Sequence, residues 1–435
     1  MERSSLAGTN TLVLYYETQT FTLNVYEHLN SLARFSGSRV FFANQSLKMP
    51  VNDLALFDIV IIHYSIRLPF DQVAEETAHA LEAFGGLKAL FIQDEYDHTH
   101  RAWHWIKRLG IKLVFSSVPA ASMAQVYPPD EFPGVRFVSN LTGFAPEALT
   151  AVPRYPPPSQ RPLKIGYRGR ALPIRYGALG QDKIDVGRVV RAYCESKGIS
   201  HDIDWVERSR LYGDAWYAFI GSCRAVLGSE SGSNVFDWDG TLEARIDDFR
   251  EQHPRASDQD VYAAVIVPLE KPGLMNQVSP RVFEAIACRT PLVLFEGQYS
   301  GVVRPYTHFI PLRRDGSNLD EVITLLRDDK EVDAMVERAH ADVLASGQFG
   351  HAAFVRMVDD EIASARARHE LFAPARPQPP SATTRPLVTR SWPRQYQIVP
   401  ETAVFSIVRF LLPLFPRGMK DFVKRIVKPL VTPPE

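Results

Sequence analysis

Three cysteines in 435 residues give no disulfide framework to this chain. Cys194, Cys223 and Cys288 each sit in an apolar stretch, without CxxC or Cys/His spacing, so reduced and buried thiols are expected rather than bridges or a metal site. No run of about 18 apolar residues is present, so no simple helix is long enough to span a bilayer. Met1–Asn10 is polar and the first apolar run, Leu12–Tyr16, is too short for the h-region of a signal peptide, which makes a cytoplasmic location the expectation. No internal repeat is found, which argues against a solenoid. Net charge is also nearly absent, at −1 for the whole chain. That value hides +7 over residues 374–435, where ten Lys/Arg face three Asp/Glu, and −8 over residues 1–373. An acidic body argues against nucleic acid as the main ligand, while the basic tail points to an anionic surface.

What the sequence has is a rhythm. Apolar runs at Thr11–Tyr16, Arg39–Ala43, Phe57–Tyr64, Ala89–Gln93, Lys112–Ser116 and Val135–Val138 lack polar alternation, as strands buried on both faces do. Amphipathic stretches such as Phe70–Phe84 and Thr99–Leu109 lie between them, the pattern of a doubly wound α/β domain. A Pro-rich break at Val152–Pro158 reads as a semi-rigid linker. A second series follows, with strands expected at Leu163–Tyr167, His201–Val206, Ala225–Gly228, Pro291–Phe295 and Phe309–Pro311. Helices are expected at Ile184–Lys197, Arg281–Cys288, Leu319–Leu326, Lys330–Ala345 and His351–Glu370. The organisation is thus a first domain over 1–152, a linker over 153–162, a second domain over 163–350, a helix over 351–373, a flexible linker over 374–399 and a basic amphipathic segment over 400–435. In that last segment Met419, Phe422, Val423, Ile426, Val427 and Leu430 repeat at helical spacing between Lys and Arg, suited either to a membrane interface or to packing on the body.

The densest chemical signal is Val278–Gly297. Ser279 suits an N-cap and Pro280 the first helical position. A helix start offers free backbone N–H groups to an anion, and Arg281 adds a charge that forks onto phosphate. Glu284, one turn on, is placed to accept from ribose hydroxyls. An ordinary βα unit with a surface Arg/Glu pair is the plain alternative. The run FEAIACRTP, Phe283–Pro291, resembles the donor-binding helix of GT-B glycosyltransferases with a family-1-like C-terminal half. The resemblance covers about residues 163–345 and continues through Glu296-Gly297-Gln298-Tyr299-Ser300-Gly301 and His308–Leu312. Gly166-Tyr167-Arg168-Gly169-Arg170, Gly180–Lys183 and Leu227–Gly232 are similar to a subgroup of bacterial surface-polysaccharide pathways.

The resemblance implies two facing doubly wound Rossmann-like domains, the last helix crossing back to the first domain, and a nucleotide-sugar donor with no cofactor required. It implies a donor set of Arg168, Arg170, Lys183, Glu230, Asn276, Ser279, Arg281, Glu284, Tyr299 and Ser300. Arg168, Arg170 and Lys183 would neutralise a diphosphate, the main task when charge builds on a departing phosphate. Glu230 would hold donor or acceptor, or cap a turn. Many retaining members carry two glutamates eight positions apart. Glu284 fills the second place, but Asn276 stands in the first, which leaves retention or inversion open.

In the first half, Asp94, Glu95 and His98 leave a strand into a polar loop, where such folds place their crevice, and are the candidate acid/base groups. Glu17 and His63 occupy comparable places. His100 and His104, four apart on a helix, have metal-ligand spacing. Asp237-Trp238-Asp239 is a DxD triplet, read here as a loop of the donor domain. The expected function is sugar transfer from a nucleotide sugar to a polysaccharide or lipid-linked glycan acceptor at the inner membrane face. A GT-B-like nucleotide-sugar epimerase and an inactive GT-B scaffold are the alternatives.

Overall fold

The structure is a computed structural model and describes residues 6–16, 23–45, 54–146 and 155–369. Glu17 and the segments 374–399 and 400–435 lie outside the described residues.

Six strands form the first sheet: β1 (Asn10–Tyr15), β2 (Arg39–Asn44), β3 (Ile59–Ile62), β4 (Leu87–Ile92), β5 (Leu113–Ser116) and β6 (Arg136–Ser139). All their pairings are parallel, in the order β2-β1-β3-β4-β5-β6. The helices α1 (Leu23–Phe35), α2 (Glu75–Ala83), α3 (Thr99–Arg108) and the single turn α4 (Met123–Val126) connect them. β1, β3, β4 and β5 are buried at every position, as their unbroken apolar runs require when helices cover both faces. α2 is shorter than the amphipathic stretch suggests, because Pro69 sets a separate 3₁₀ turn at Leu68–Phe70 and Asp71 turns the chain with φ +54°.

The second sheet holds β7 (Lys164–Arg168), β8 (Ser200–Asp204), β9 (Ala225–Gly228), then, past a short antiparallel pair β10 (Ser231–Gly232) and β11 (Asn276–Gln277), β12 (Leu292–Phe295) and β13 (Ile310–Leu312). Its order, β13-β12-β9-β7-β8, is again wholly parallel. Both sheets therefore reverse their winding beside their first strand, and such a switch point opens a crevice at the carboxyl ends of the strands. The helices of this lobe are α5 (Gly177–Lys197), α6 (Gly213–Ser222), α7 (Leu242–Gln252), α8 (Asp258–Val261), α9 (Pro280–Ala287), α10 (Leu319–Arg327) and α11 (Asp329–Ala339). α7 and α8 lie in an excursion between β10 and β11 with its own small core of Val235, Leu242, Ile246, Val261, Val265 and Ile266.

The final helix, α12 (His351–Arg368), returns to the first lobe. Phe354, Val355, Val358, Ile362 and Ala365 share its inner stripe and are buried with Leu29, Leu32 and Phe91. Each of the larger side chains contributes about 1.5–3 kcal/mol. Asp359 pins the helix by accepting from Gly37 N at 2.7 Å and Ser36 Oγ at 2.8 Å. The described part of the Pro-rich segment is docked on the second lobe. Arg161 is buried there and donates to the carbonyls of Pro156, Cys223 and Cys288 and to Thr290 Oγ1. The three cysteines are free and buried.

Candidate functional site

At the switch point between β7 and β9 lies a cavity of about 250 Å³. The carboxyl end of β7 lines it through Tyr167, Gly169 and Arg170, that of β9 through Leu227, Gly228 and Ser229, α5 through Lys183, and the start of α9 through Ser279, Arg281 and Val282. Gly169 is required here. A Cβ would stand 2.7 Å from the Lys183 carbonyl, so any side chain would push α5 off the strand end. Tyr167 Oη donates to that same carbonyl at 2.8 Å, which fixes the turn bearing Lys183. The Ser279 hydroxyl caps no backbone amide of α9.

Three cations converge on this cavity. Among the described residues none of Arg170, Lys183 and Arg281 forms a salt bridge; Lys183 and Arg281 are half-buried and Arg170 is exposed. Lys183 Nζ reaches Ser231 Oγ at 3.0 Å and lies 3.5 Å from the Glu230 carbonyl. Burial lowers its ammonium to about 8, and the charges of Arg281 and Arg170 push the same way. Arg281 is held by two rings, its guanidinium carbon 5.3 Å from the Tyr167 centroid and 5.1 Å from that of Trp216. Arg210, which carries no motif signal, also lines the cavity, but pairs with Glu207 at 2.7 Å. Only the path of the chain between β8 and α6 brings it there.

Other members of the expected set have different work. Arg168 donates to the carbonyls of Ser209, Tyr167 and Asp202, pairs with the Asp202 carboxylate at 2.7 Å, and lines no part of the cavity. Its side chain follows β7 toward β8, whereas Arg170, past Gly169, is exposed at the cavity's edge. Glu284 accepts from Trp216 Nε1 at 2.8 Å, and burial raises its carboxyl against that bond and Arg281. Glu230 is buried and accepts from Tyr299 N at 2.7 Å, Gln298 N at 3.1 Å and Asn276 Nδ2 at 2.7 Å. Tyr299 is a core residue whose hydroxyl donates to Phe295 O, and Ser300 Oγ accepts from Val278 N and donates to Gln277 Oε1. Glu230, Asn276, Tyr299 and Ser300 thus hold the wall behind the cavity instead of lining it.

In the first lobe Asp94 and Glu95 are held by neighbouring hydroxyls, while Glu95 Oε2 and His98 Nδ1 are buried without a hydrogen-bond partner. Asp94, the most exposed of them, has φ +57° and accepts from Tyr96 Oη at 2.8 Å. Glu95 is wholly buried against Ser116 Oγ, and burial raises its carboxyl to about 7. His98 sits over Gly240, where a Cβ would lie 1.9 Å from Nδ1. His63 is buried against Ser65 and His28, and burial lowers it to about 3. His100 pairs with Asp239 at 2.6 Å, so the DxD triplet faces the first lobe.

No family model matches the chain, and no curated protein matches it. Among solved structures it is similar to HepE of Anabaena in complex with UDP and glucose, at 12% identity and TM-score 0.43 over 82% of this chain and 100% of that one. An alpha-glucosyltransferase in complex with UDP and a 13-mer DNA shows 11% identity and TM-score 0.47 over 82% and 99%. TarM shows 11% identity and TM-score 0.39 over 70% of this chain and 54% of TarM, so the chain spans about half of that protein's length. Two parallel lobes wound in the same order, with the last helix returned to the first, are the two doubly wound Rossmann-like domains and the crossing helix expected from the sequence.

Proposed function

We propose that the chain is a glycosyltransferase that takes a sugar from a nucleoside-diphosphate donor. The observation that carries this reading is the convergence of Arg170, Lys183 and Arg281 on one cavity, with no carboxylate paired to any of them among the described residues. A pyrophosphate that joins a nucleoside to a sugar carries about two negative charges, and the released nucleoside diphosphate about three. Three cations therefore favour the leaving group over the intact donor, and interactions that grow toward the transition state are those that raise kcat. The Ser279 hydroxyl and the first turn of α9 stand beside them, ready to donate to phosphate oxygens. Glu284, one turn along, carries the ribose in this reading, once a ligand competes for its bond with Trp216. Arg168 supports the site by holding β7 to β8.

The acceptor is a glycan or lipid-linked glycan, and the +7 tail holds the protein at an anionic membrane face. Liposome flotation of the full chain and of a 1–373 form tests that attachment, and equal flotation would refute it. For the reaction, radiolabelled nucleotide sugars are incubated with the protein and a lipid-linked glycan extract. Label moving to the lipid phase supports transfer. Isomerised donor without transfer would instead mark an epimerase, and unchanged donor with bound nucleotide an inactive scaffold.

A further inference from the structure

The excursion that leaves at β10 and returns at β11 does not stay on its own lobe. Phe236, Leu274 and Met275 are buried in the core of the first lobe, with Trp238 packed beside them. Backbone pairing continues the contact. Asp237 N donates to Tyr96 O at 2.7 Å, Thr99 N to Asp237 O at 3.3 Å, and His100 N to Trp238 O at 2.9 Å. The partner of this strap is the Asp94–His98 loop and the first turn of α3. At its centre lies Asp97, 3% exposed, whose Oδ1 is 2.5 Å from Arg175 Nη1 of the second lobe. Tyr176 Oη donates to Asp97 Oδ2 at 3.3 Å and accepts from Arg175 Nη2 at 2.6 Å.

Arg175 lies between two of the cavity's cations along the chain. Arg170 precedes it by five residues and Lys183 follows by eight. The intervening backbone is tied down at several points. Pro173 opens the 3₁₀ turn Ile174–Tyr176, and Gln181 Nε2 reaches the carbonyls of Leu172 and Pro173 at 3.3 and 3.4 Å. The excursion is tied to the same corner by Glu270, which accepts from Ala178 N at 2.5 Å and from Tyr262 Oη. These bonds link the segment bearing Arg170 and Lys183 to Arg175, and a largely buried ion pair resists being left half made.

We propose that Asp97 is a positioning residue: paired with Arg175, it transmits occupation of the diphosphate site to the Asp94–His98 loop, which carries the candidate acid/base groups of the first lobe. The proposal rests on the donor reading above. It separates Asp97 from Asp94 and Glu95, its neighbours in the sequence, because Asp97 alone of the three meets the second lobe through its side chain.

The test is residue-resolved hydrogen exchange on the full chain with inorganic pyrophosphate and with UDP, GDP, ADP and CDP. The amides of Thr99 and His100 report the seam directly, since their acceptors belong to the other lobe. In the wild type, a bound ligand is expected to slow their exchange by about tenfold, the usual size of a coupling between two sites. The double variant Asp97→Asn/Arg175→Gln removes both charges together. It is expected to bind the ligand within about threefold of wild type and to lose the ligand-dependent slowing. A merely structural role would change exchange equally with and without ligand. Should the double variant fail to fold, Tyr176→Phe, which removes two bonds to the pair, is expected to reduce the slowing by at least half. Ligand binding without slowing in the wild type, or slowing that persists undiminished in the folded variant, overturns the proposal. Absence of binding by all five probes overturns the donor reading and the coupling with it.

Discussion

The two lobes share a winding order but treat charge in opposite ways. Asp94, Glu95 and Asp97 of the first lobe are all engaged at its strand ends, by Tyr96, Ser116 and Arg175 respectively. At the same place in the second lobe, Arg170, Lys183 and Arg281 are left without an acidic partner among the described residues, and they press on one another. Unpaired like charges held together are unfavourable until an anion arrives. A loop whose carboxylates are already engaged, by contrast, needs a rearrangement before they can act on a ligand. On the donor reading proposed above, the difference suits the second lobe to a preformed binding site and the first to a partner positioned against it.

The sharpest way to break that contrast is to remove cations. Lys183→Ala/Arg281→Ala is expected to weaken nucleoside diphosphate binding by about 10³-fold, from two charge-assisted contacts at about 2 kcal/mol each. Titration calorimetry reads this directly, and a loss below fivefold with the fold intact would equate the two lobes. Glu95→Gln should leave that affinity unchanged and alter stability instead. A carboxyl raised to about 7 favours the folded state while protonated, so stability falls as pH climbs from about 4.5 through 7. Urea unfolding at pH 8 should find the variant about 3 kcal/mol more stable than wild type, and at pH 4 no difference. Equal stability at pH 8 would show that the carboxylate finds solvent. A finer effect concerns Lys183, whose ammonium is lowered to about 8. Below that pH it is charged and nucleotide affinity should be flat. As pH rises from 8 to 9.5 affinity should fall by about tenfold, because binding must take up a proton. Lys183→Arg should hold affinity level across that range, and the same fall in that variant would assign the titration elsewhere.

How much of this was legible in the sequence follows from how local each signal is. Both α/β series could be read because strands buried on two faces need unbroken apolar runs, and the bounds of β9 match the expected Ala225–Gly228. Ser279 and Arg281 were legible for the same reason, since a helix start with Pro280 after its cap position is written in three consecutive residues. Arg168 and Arg170 look equivalent in the sequence, two apart as on one strand face, but β7 ends at Arg168 and the chain leaves the strand at Gly169, which sends one to Asp202 and the other to the cavity. Glu230 and Glu284 look like ligand-binding acids, yet Glu230 is saturated by Tyr299 N, Gln298 N and Asn276. Their partners lie 46 to 69 residues away along the chain, and no local pattern marks them. The excursion bearing α7 and α8 was missed because its small core serves only itself and the seam. The amphipathic reading of 400–435 concerns residues outside the described ones.

A crystal structure of the full chain with the tightest-binding nucleoside diphosphate tests the central claim most directly. The account requires the β-phosphate within about 3.2 Å of Lys183 Nζ and of an Arg281 guanidinium nitrogen, beside the Ser279 hydroxyl. Phosphates held elsewhere, with both cations still facing an empty cavity, would contradict it.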